Sequence, residues 1–295
     1  MNLIIISSSV YYKVKMIFLD KTFKIAVCQM EVVDDKEANI EKAVHFIEKS
    51  SLKNADLVVL PEMFNCPYEN TKFTEYAEHR DNSQTLKAVS AAAGEYSLYL
   101  VAGSIPELDK DKIYNTSFII NPYGEIIGFH RKLHLFDVDV PDGITFKESD
   151  ILTAGDELTV LDTDFARIGV IICYDLRFPE LSRLLALDDV ELMVVPGAFN
   201  MTTGPAHWKT LIRSRAIDNQ FFLAAASPAR DESASYVAYG HSMIVNPWGD
   251  VVAEAGPGEE IIYADIPLNS IKKIRSQLPV LKNRRLDIYD LCKKK

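Results

Sequence analysis

Three reactive side chains in this sequence stand just beyond short apolar runs. In Gly169-Val-Ile-Ile-Cys-Tyr-Asp-Leu-Arg-Phe-Pro-Glu180 an apolar strand stops at Cys173, ahead of a helix expected over Pro179 to Leu187. A thiol at a strand end meets solvent and substrates, and it acts as a nucleophile once a base or a lowered pKa activates it. The alternative is a buried core cysteine. In Leu57-Val-Val-Leu-Pro-Glu-Met-Phe-Asn-Cys-Pro-Tyr68 a buried strand delivers Glu62. Shielding by Met63 and Phe64 would raise this carboxyl toward neutral pH, where it can shuttle a proton. Its alternative is an exposed loop glutamate. In Phe129-His-Arg-Lys-Leu-His134 the chain leaves a hairpin at Lys132, an amine that is otherwise an ordinary solvated lysine.

The elements that must position these groups are mixed. Apolar runs bounded by turn residues alternate with amphipathic segments, as in an α/β fold. Lys24 to Met30, Leu57 to Leu60 and Leu98 to Ala102 read as strands, and Ala38 to Leu52 and Ser83 to Tyr96 as helices. Two segments, Phe118-Ile-Ile-Asn-Pro-Tyr-Gly-Glu-Ile-Ile127 and Met243-Ile-Val-Asn-Pro-Trp-Gly-Asp-Val-Val252, match each other and place Asn, Pro and Gly as a type I turn requires. Each is therefore expected to be a β-hairpin. His134 to Gly155 is the least regular stretch, a long loop of the functional kind. One domain is expected over residues 23 to 280, between an extension of residues 1 to 22 and a tail of residues 281 to 295.

Composition excludes several classes. The 295 residues carry 32 Lys and Arg against 42 Asp and Glu, a net charge of −10, which opposes general nucleic-acid binding because that needs a basic face. With 48% hydrophobic and 25% charged residues the chain is an ordinary globular one. Four cysteines without CxxC spacing give neither a disulfide framework nor a cysteine-rich zinc site, and they point to a reducing compartment. No run reaches the ~18 apolar residues of a membrane helix, and the start has too short an apolar run for a secretory signal. The first 22 residues contain lysine but no arginine, and Met16 is a candidate second start. Cytoplasmic residence is the expectation, with mitochondria the alternative. A papain-like pairing of Cys173 with His207 or His241 lacks the sequence that surrounds such a nucleophile. His130 and His134 lack the glutamate of HExxH, and Gly204-Pro-Ala-His-Trp-Lys-Thr210 lacks the second glycine of a P-loop. No metal and no cofactor is expected.

Glu62, Lys132 and Cys173, in that order and context, resemble the nitrilase superfamily of carbon–nitrogen hydrolases, and the resemblance spans nearly the whole chain after residue 22. Phe64-Asn-Cys-Pro-Tyr68, Asp137-Val-Asp-Val-Pro141, Ile144-Thr-Phe-Lys-Glu-Ser149 and Pro196-Gly-Ala-Phe-Asn-Met-Thr-Thr-Gly-Pro-Ala-His-Trp208 are similar to its omega-amidase branch, as are Ser214 to Gln220, Ala226 to Asp231 and Gly240 to Gly249. The resemblance implies a four-layer α-β-β-α sandwich, a homodimer, and hydrolysis of the terminal amide of α-keto acid amides such as α-ketoglutaramate through a cysteine thioester. It adds Glu148 as a fourth catalytic residue, holding Lys132. The backbone N–H of Tyr174, with Lys132, would stabilise the oxyanion. Arg177 is a candidate for the substrate carboxylate, its alternative being a structural ion pair, and Phe64, Tyr68, Phe199 and Met201 are candidate pocket walls or core. Rival readings are another amidase of the superfamily, acting on deaminated glutathione, a carbamoyl amide or a nitrile, and a scaffold that has lost turnover.

Overall fold

The computed structural model describes residues 22–141 and 143–294; the expected N-terminal extension lies outside them except for Thr22. The chain runs β1 (Thr22–Gln29), α1 (Lys36–Ser51), β2 (Leu57–Val59), α2 (Asn70–Tyr76), β3 (Glu78–His79), α3 (Gln84–Glu95), β4 (Tyr99–Val101), β5 (Ile105–Asp109), β6 (Lys112–Ile120) and β7 (Ile126–Arg131). It continues with β8 (Asp137–Asp139), β9 (Thr145–Lys147), β10 (Thr159–Asp162), β11 (Arg167–Val170), α4 (Pro179–Leu187), β12 (Leu192–Pro196), α5 (Gly204–Asn219), β13 (Phe222–Ala226), β14 (Met243–Val245), β15 (Val251–Glu254), β16 (Glu260–Pro267) and α6 (Asn269–Gln277).

Two sheets dominate. The first follows the order β16-β1-β2-β4-β6-β5-β3, with β7 on β6, and the second follows β10-β11-β12-β13-β14-β15. Strand periodicity sorts their side chains. Ile25 and Val27 of β1, with Leu57 and Val59 of β2, face Ile168, Val170, Leu192, Val194 and Ala224 of the second sheet in one shared core. The alternate residues Ala26, Cys28 and Val58 pack outward on Ala43, Phe46 and Ile47 of α1 and on Leu86, Val89 and Ala93 of α3. On the far side Met193, Val195 and Leu223 pack on Leu185 of α4 and on Trp208, Ile212 and Ala216 of α5. The result is helix, sheet, sheet, helix: an α/β four-layer sandwich, because each sheet buries both faces.

Local chemistry sets the element ends. The Ser83 side chain accepts from Leu86 N–H and starts α3, while Asp35 accepts from Ala38 N–H and starts α1. The two matching segments form the β6–β7 and β14–β15 hairpins. In each turn the Asn side chain accepts two backbone N–H groups, at Tyr123 and Glu125 or at Trp248 and Asp250. Gly124 and Gly249 take positive φ, 77° and 89°, and both ladders shift register just before the turn. One expectation needs correction. His134 to Gly155 is not simply a loop, since β8 and β9 pair antiparallel within it and a 3-10 turn spans Glu148–Asp150.

Candidate active site

Glu62 reaches its place because the end of β2 is locked to the end of β4. Leu60 N–H donates to Val101 O, and Met63 N–H to Ser104 Oγ. Gly103 permits the approach: a Cβ there would stand 2.0 Å from the Pro61 carbonyl oxygen. The turn also holds Met63 at φ 51°, in the left-handed region. Cys173, one turn beyond β11, has φ 47°. A non-glycine residue in that region costs on the order of 1–3 kcal/mol, a strain that the surrounding fold must offset. The two strained turns thus carry Met63, next to Glu62, and Cys173.

Lys132 follows β7 and stays beside β6, where its N–H donates to Asn115 O. Its ammonium is wholly buried between two carboxylates, 3.0 Å from Glu62 Oε1 and 2.9 Å from Glu148 Oε1. The Tyr68 hydroxyl lies 2.6 Å from Glu148 Oε1 and 3.2 Å from both Glu62 Oε1 and Lys132 Nζ. Glu62 further accepts from Asn115 Nδ2 at 2.8 Å and Ala198 N–H at 2.8 Å. Glu148, in the 3-10 turn after β9, accepts from Phe136 N–H at 2.7 Å. The Cys173 thiol and the Glu62 carboxylate are close enough to shift each other's protonation.

The electrostatics follow from burial and charge count. Burial pushes the Glu62 carboxyl above its ordinary value; Lys132 opposes that rise and Glu148 adds to it. Burial, then the Glu62 charge, pushes the Cys173 thiol far up, with Lys132 pulling the other way. The lysine thus acts on the thiol in the expected direction but is outweighed by burial and Glu62. For Lys132 burial disfavours the cation, yet Glu148 and Glu62 more than reverse this and hold it charged.

The remaining expected residues divide. Tyr174 and Arg177 lie in the 3-10 turn of Cys173–Arg177. The Arg177 guanidinium stacks 4.5 Å from the Phe199 ring and bonds His207 Nδ1 at 3.0 Å. Among the described residues no carboxylate pairs with it, so the structural ion pair left open by sequence is not what holds it. Phe199 therefore borders this cation while also packing on Trp208. Met201 is 39% exposed beyond β12. Phe64 belongs to the core between the first sheet and its helices, fully buried, which is the second of the two alternatives left open for it.

Sequence reasoning missed Asn115 on Glu62, and Tyr236, whose ring stacks on Tyr68 at 4.5 Å and whose hydroxyl donates to Ala198 O. It also missed Asp175, on which His130 and His134 converge at 3.2 and 2.8 Å. The Cys-x-Asp spacing was the one local signal available. A cavity of about 60 Å³ adjoins the cluster, walled in part by Glu62, Tyr68, Ala198 and Tyr236. That is ample for water, which needs roughly 10–15 Å³.

Comparison with known proteins agrees with this geometry. Residues 24–276 match the carbon-nitrogen hydrolase family. The chain is 50% identical to the omega-amidase NIT2 of Bos taurus and 49% identical to that of Homo sapiens, over 93% of this chain and 99% of each relative. The crystal structure of Saccharomyces cerevisiae Nit3, a member of branch 10 of the nitrilase superfamily, superposes with a TM-score of 0.83 at 44% identity, covering 90% of this chain and 97% of that one. With a buried carboxylate, amine and thiol at the ends of the expected strands and a family match over most of its length, the chain belongs to the carbon–nitrogen hydrolases and is an amide-hydrolysing enzyme.

Proposed function

We propose that this enzyme is an omega-amidase, cleaving the terminal amide of α-keto acid amides such as α-ketoglutaramate and α-ketosuccinamate to the dicarboxylate and ammonia. The observation that carries the chemistry is the Lys132 ammonium held between Glu62 and Glu148, with the buried Cys173 thiol electrostatically coupled to Glu62. The relatives at about half identity over nearly their whole length support the substrate class.

The steps follow from the charges. Glu62 takes the thiol proton as Cys173 Sγ attacks the amide carbonyl. The developing oxyanion is stabilised by Lys132 and the Tyr174 backbone N–H, electrostatic preorganisation of the kind that removes several kcal/mol from a barrier. Glu62 returns the proton to the departing nitrogen, and ammonia leaves behind a thioester. Glu62 then activates a water, for which the adjoining cavity has room, and the acid and thiol are regenerated. One carboxyl therefore works as base and acid in turn, which suits a group raised toward neutrality. Glu148 fixes the lysine. Arg177, a cation without a carboxylate partner among the described residues, receives the remote substrate carboxylate, with Phe199 beneath its guanidinium.

Two further parts complete the reading. A homodimer is supported by an apolar patch where exposed Ile217 of α5 lies against the Gly249 turn that carries exposed Trp248. Cytoplasmic residence is supported by four free thiols, Cys28, Cys66, Cys173 and Cys292. The deciding experiment is ammonia release from α-ketoglutaramate. Equal or faster turnover of a neutral nitrile or a carbamoyl amide rejects the omega-amidase assignment.

A further inference from the structure

The nucleophile and the lysine come from different sheets, and neither strand pairs with the other. What ties the two segments together is Asp175, two residues after the nucleophile and wholly buried. Its Oδ2 accepts from Ile172 N–H at 3.1 Å, on the chain entering Cys173, and stands 3.2 Å from His130 Nε2. Its Oδ1 accepts from His134 N–H at 2.9 Å and bonds His134 Nδ1 at 2.8 Å. Residues on both sides of Lys132 are thus held by one carboxylate that also holds the residue before Cys173. The His134 ring then stacks on Phe178 at 3.6 Å, at the exit of the nucleophile turn.

We propose that Asp175 and His134 are positioning residues, a clamp that sets Lys132 against Cys173 across the two sheets. The inference rests on the Cys173 mechanism above and adds to it the device that keeps its two halves in register. Misplacing a catalytic group by about an ångström costs on the order of 100-fold in rate, so the clamp has to show in the chemical step and not in substrate binding. Neither residue touches the reacting atoms.

His134 gives the cleaner test, because its side chain is 32% exposed and its removal leaves no sealed cavity. His134→Ala is expected to lower kcat about tenfold, with KM within about twofold. His134→Asn, which returns an N–H near the place of Nδ1, should restore kcat to within about threefold. Asp175→Asn, which turns one accepting oxygen into a donor, should lose about 100-fold. The rate at which iodoacetamide alkylates Cys173, followed by mass spectrometry of its peptide, should fall in the same order without any amide substrate present. His134→Ala with unchanged melting temperature, kcat and alkylation rate overturns the clamp, and so does His134→Asn performing no better than His134→Ala. Cys173→Ala is run alongside: if that variant still hydrolyses amides, the mechanism itself fails, whereas an inactive Cys173→Ala beside a fully active His134→Ala removes the clamp alone.

Discussion

Glu62 and Asp175 are both wholly buried carboxylates near the same thiol, yet the fold pushes their pKa values in opposite directions. Glu62 is raised, while Asp175 is held well below the usual carboxylate range: burial raises it, but hydrogen bonds from His130 and His134 more than offset that. Both accept several donors, so hydrogen bonding alone does not separate them. Burial is the largest influence on both. At Glu62 it prevails, because the Lys132 cation that opposes it is shared with Glu148, whereas at Asp175 two imidazoles and backbone N–H groups prevail over it. The under-compensated carboxylate suits the proposed proton shuttle, and the well-compensated one the proposed strut.

The largest effects should come from breaking the under-compensated side. Cys173→Ala should reduce amide hydrolysis by at least about 10⁴-fold, since the covalent route is gone. Cys28, Cys66 and Cys292 should each tolerate Ala with near-normal turnover. Burial pushes the Cys28 thiol up to about 12 and Cys66 up as well, so neither competes as a nucleophile. Loss of activity in Cys66→Ala would show that the wrong thiol has been chosen. Glu62→Gln should cost about 10²–10⁴-fold, the scale of general base catalysis. In the wild type, kcat/KM should rise with pH through an acid limb lying above the ordinary value of 4.5, because the base must be ionised. An acid limb at or below 4.5 would contradict the raised carboxyl.

Smaller losses sharpen the roles around it. Lys132→Met should cost about 3 kcal/mol in the chemical step, the scale of one oxyanion donor. Glu148→Gln should be harmful through the lysine it holds, and a Glu148→Gln enzyme faster than wild type would reverse that role. Arg177→Met should raise KM for the ω-amides of dicarboxylates by about 2 kcal/mol or more, with little change for neutral amides of similar size. Equal losses on both substrates, with a lowered melting temperature, would make Arg177 structural.

How much of this was legible from sequence depended on range. The strands, α3 with its Ser83 cap, α4 and the two hairpins rest on periods and turn residues within a dozen positions, and they stand close to where the pattern puts them. Glu62, Lys132 and Cys173 were legible because each follows an apolar strand, but Glu148 entered only through family resemblance, as nothing local distinguishes it from its acidic neighbours. α5 gave no amphipathic signal: its buried positions are Gly204, Trp208, Ile212, Arg215, Ala216 and Asn219, and the polar members blur the apolar stripe. The roles of Tyr68, Asn115 and Asp175 depend on partners 80, 53 and 41 to 45 residues away. Such meetings are products of sheet packing, which no local pattern encodes.

The smallest effect tests the comparison most directly, because it concerns stability and not rate. A carboxyl whose folded pKa lies above its unfolded value favours folding while it is protonated. That contribution is complete below the unfolded pKa near 4.5 and is lost as pH rises through the folded pKa of Glu62. Glutamine cannot ionise, so Glu62→Gln should match the wild type in melting temperature near pH 4.5 and gain on it as pH increases, by about 2 °C for each kcal/mol. Asp175 runs the other way: its lowered pKa contributes stability above the unfolded value of 3.8, lost as pH falls through the folded one. Asp175→Asn should therefore melt lower than wild type at neutral pH, with the gap closing in acid. The measurement is melting temperature against pH for the three proteins, and a Glu62→Gln advantage that shrinks toward alkaline pH would contradict a raised Glu62 carboxyl.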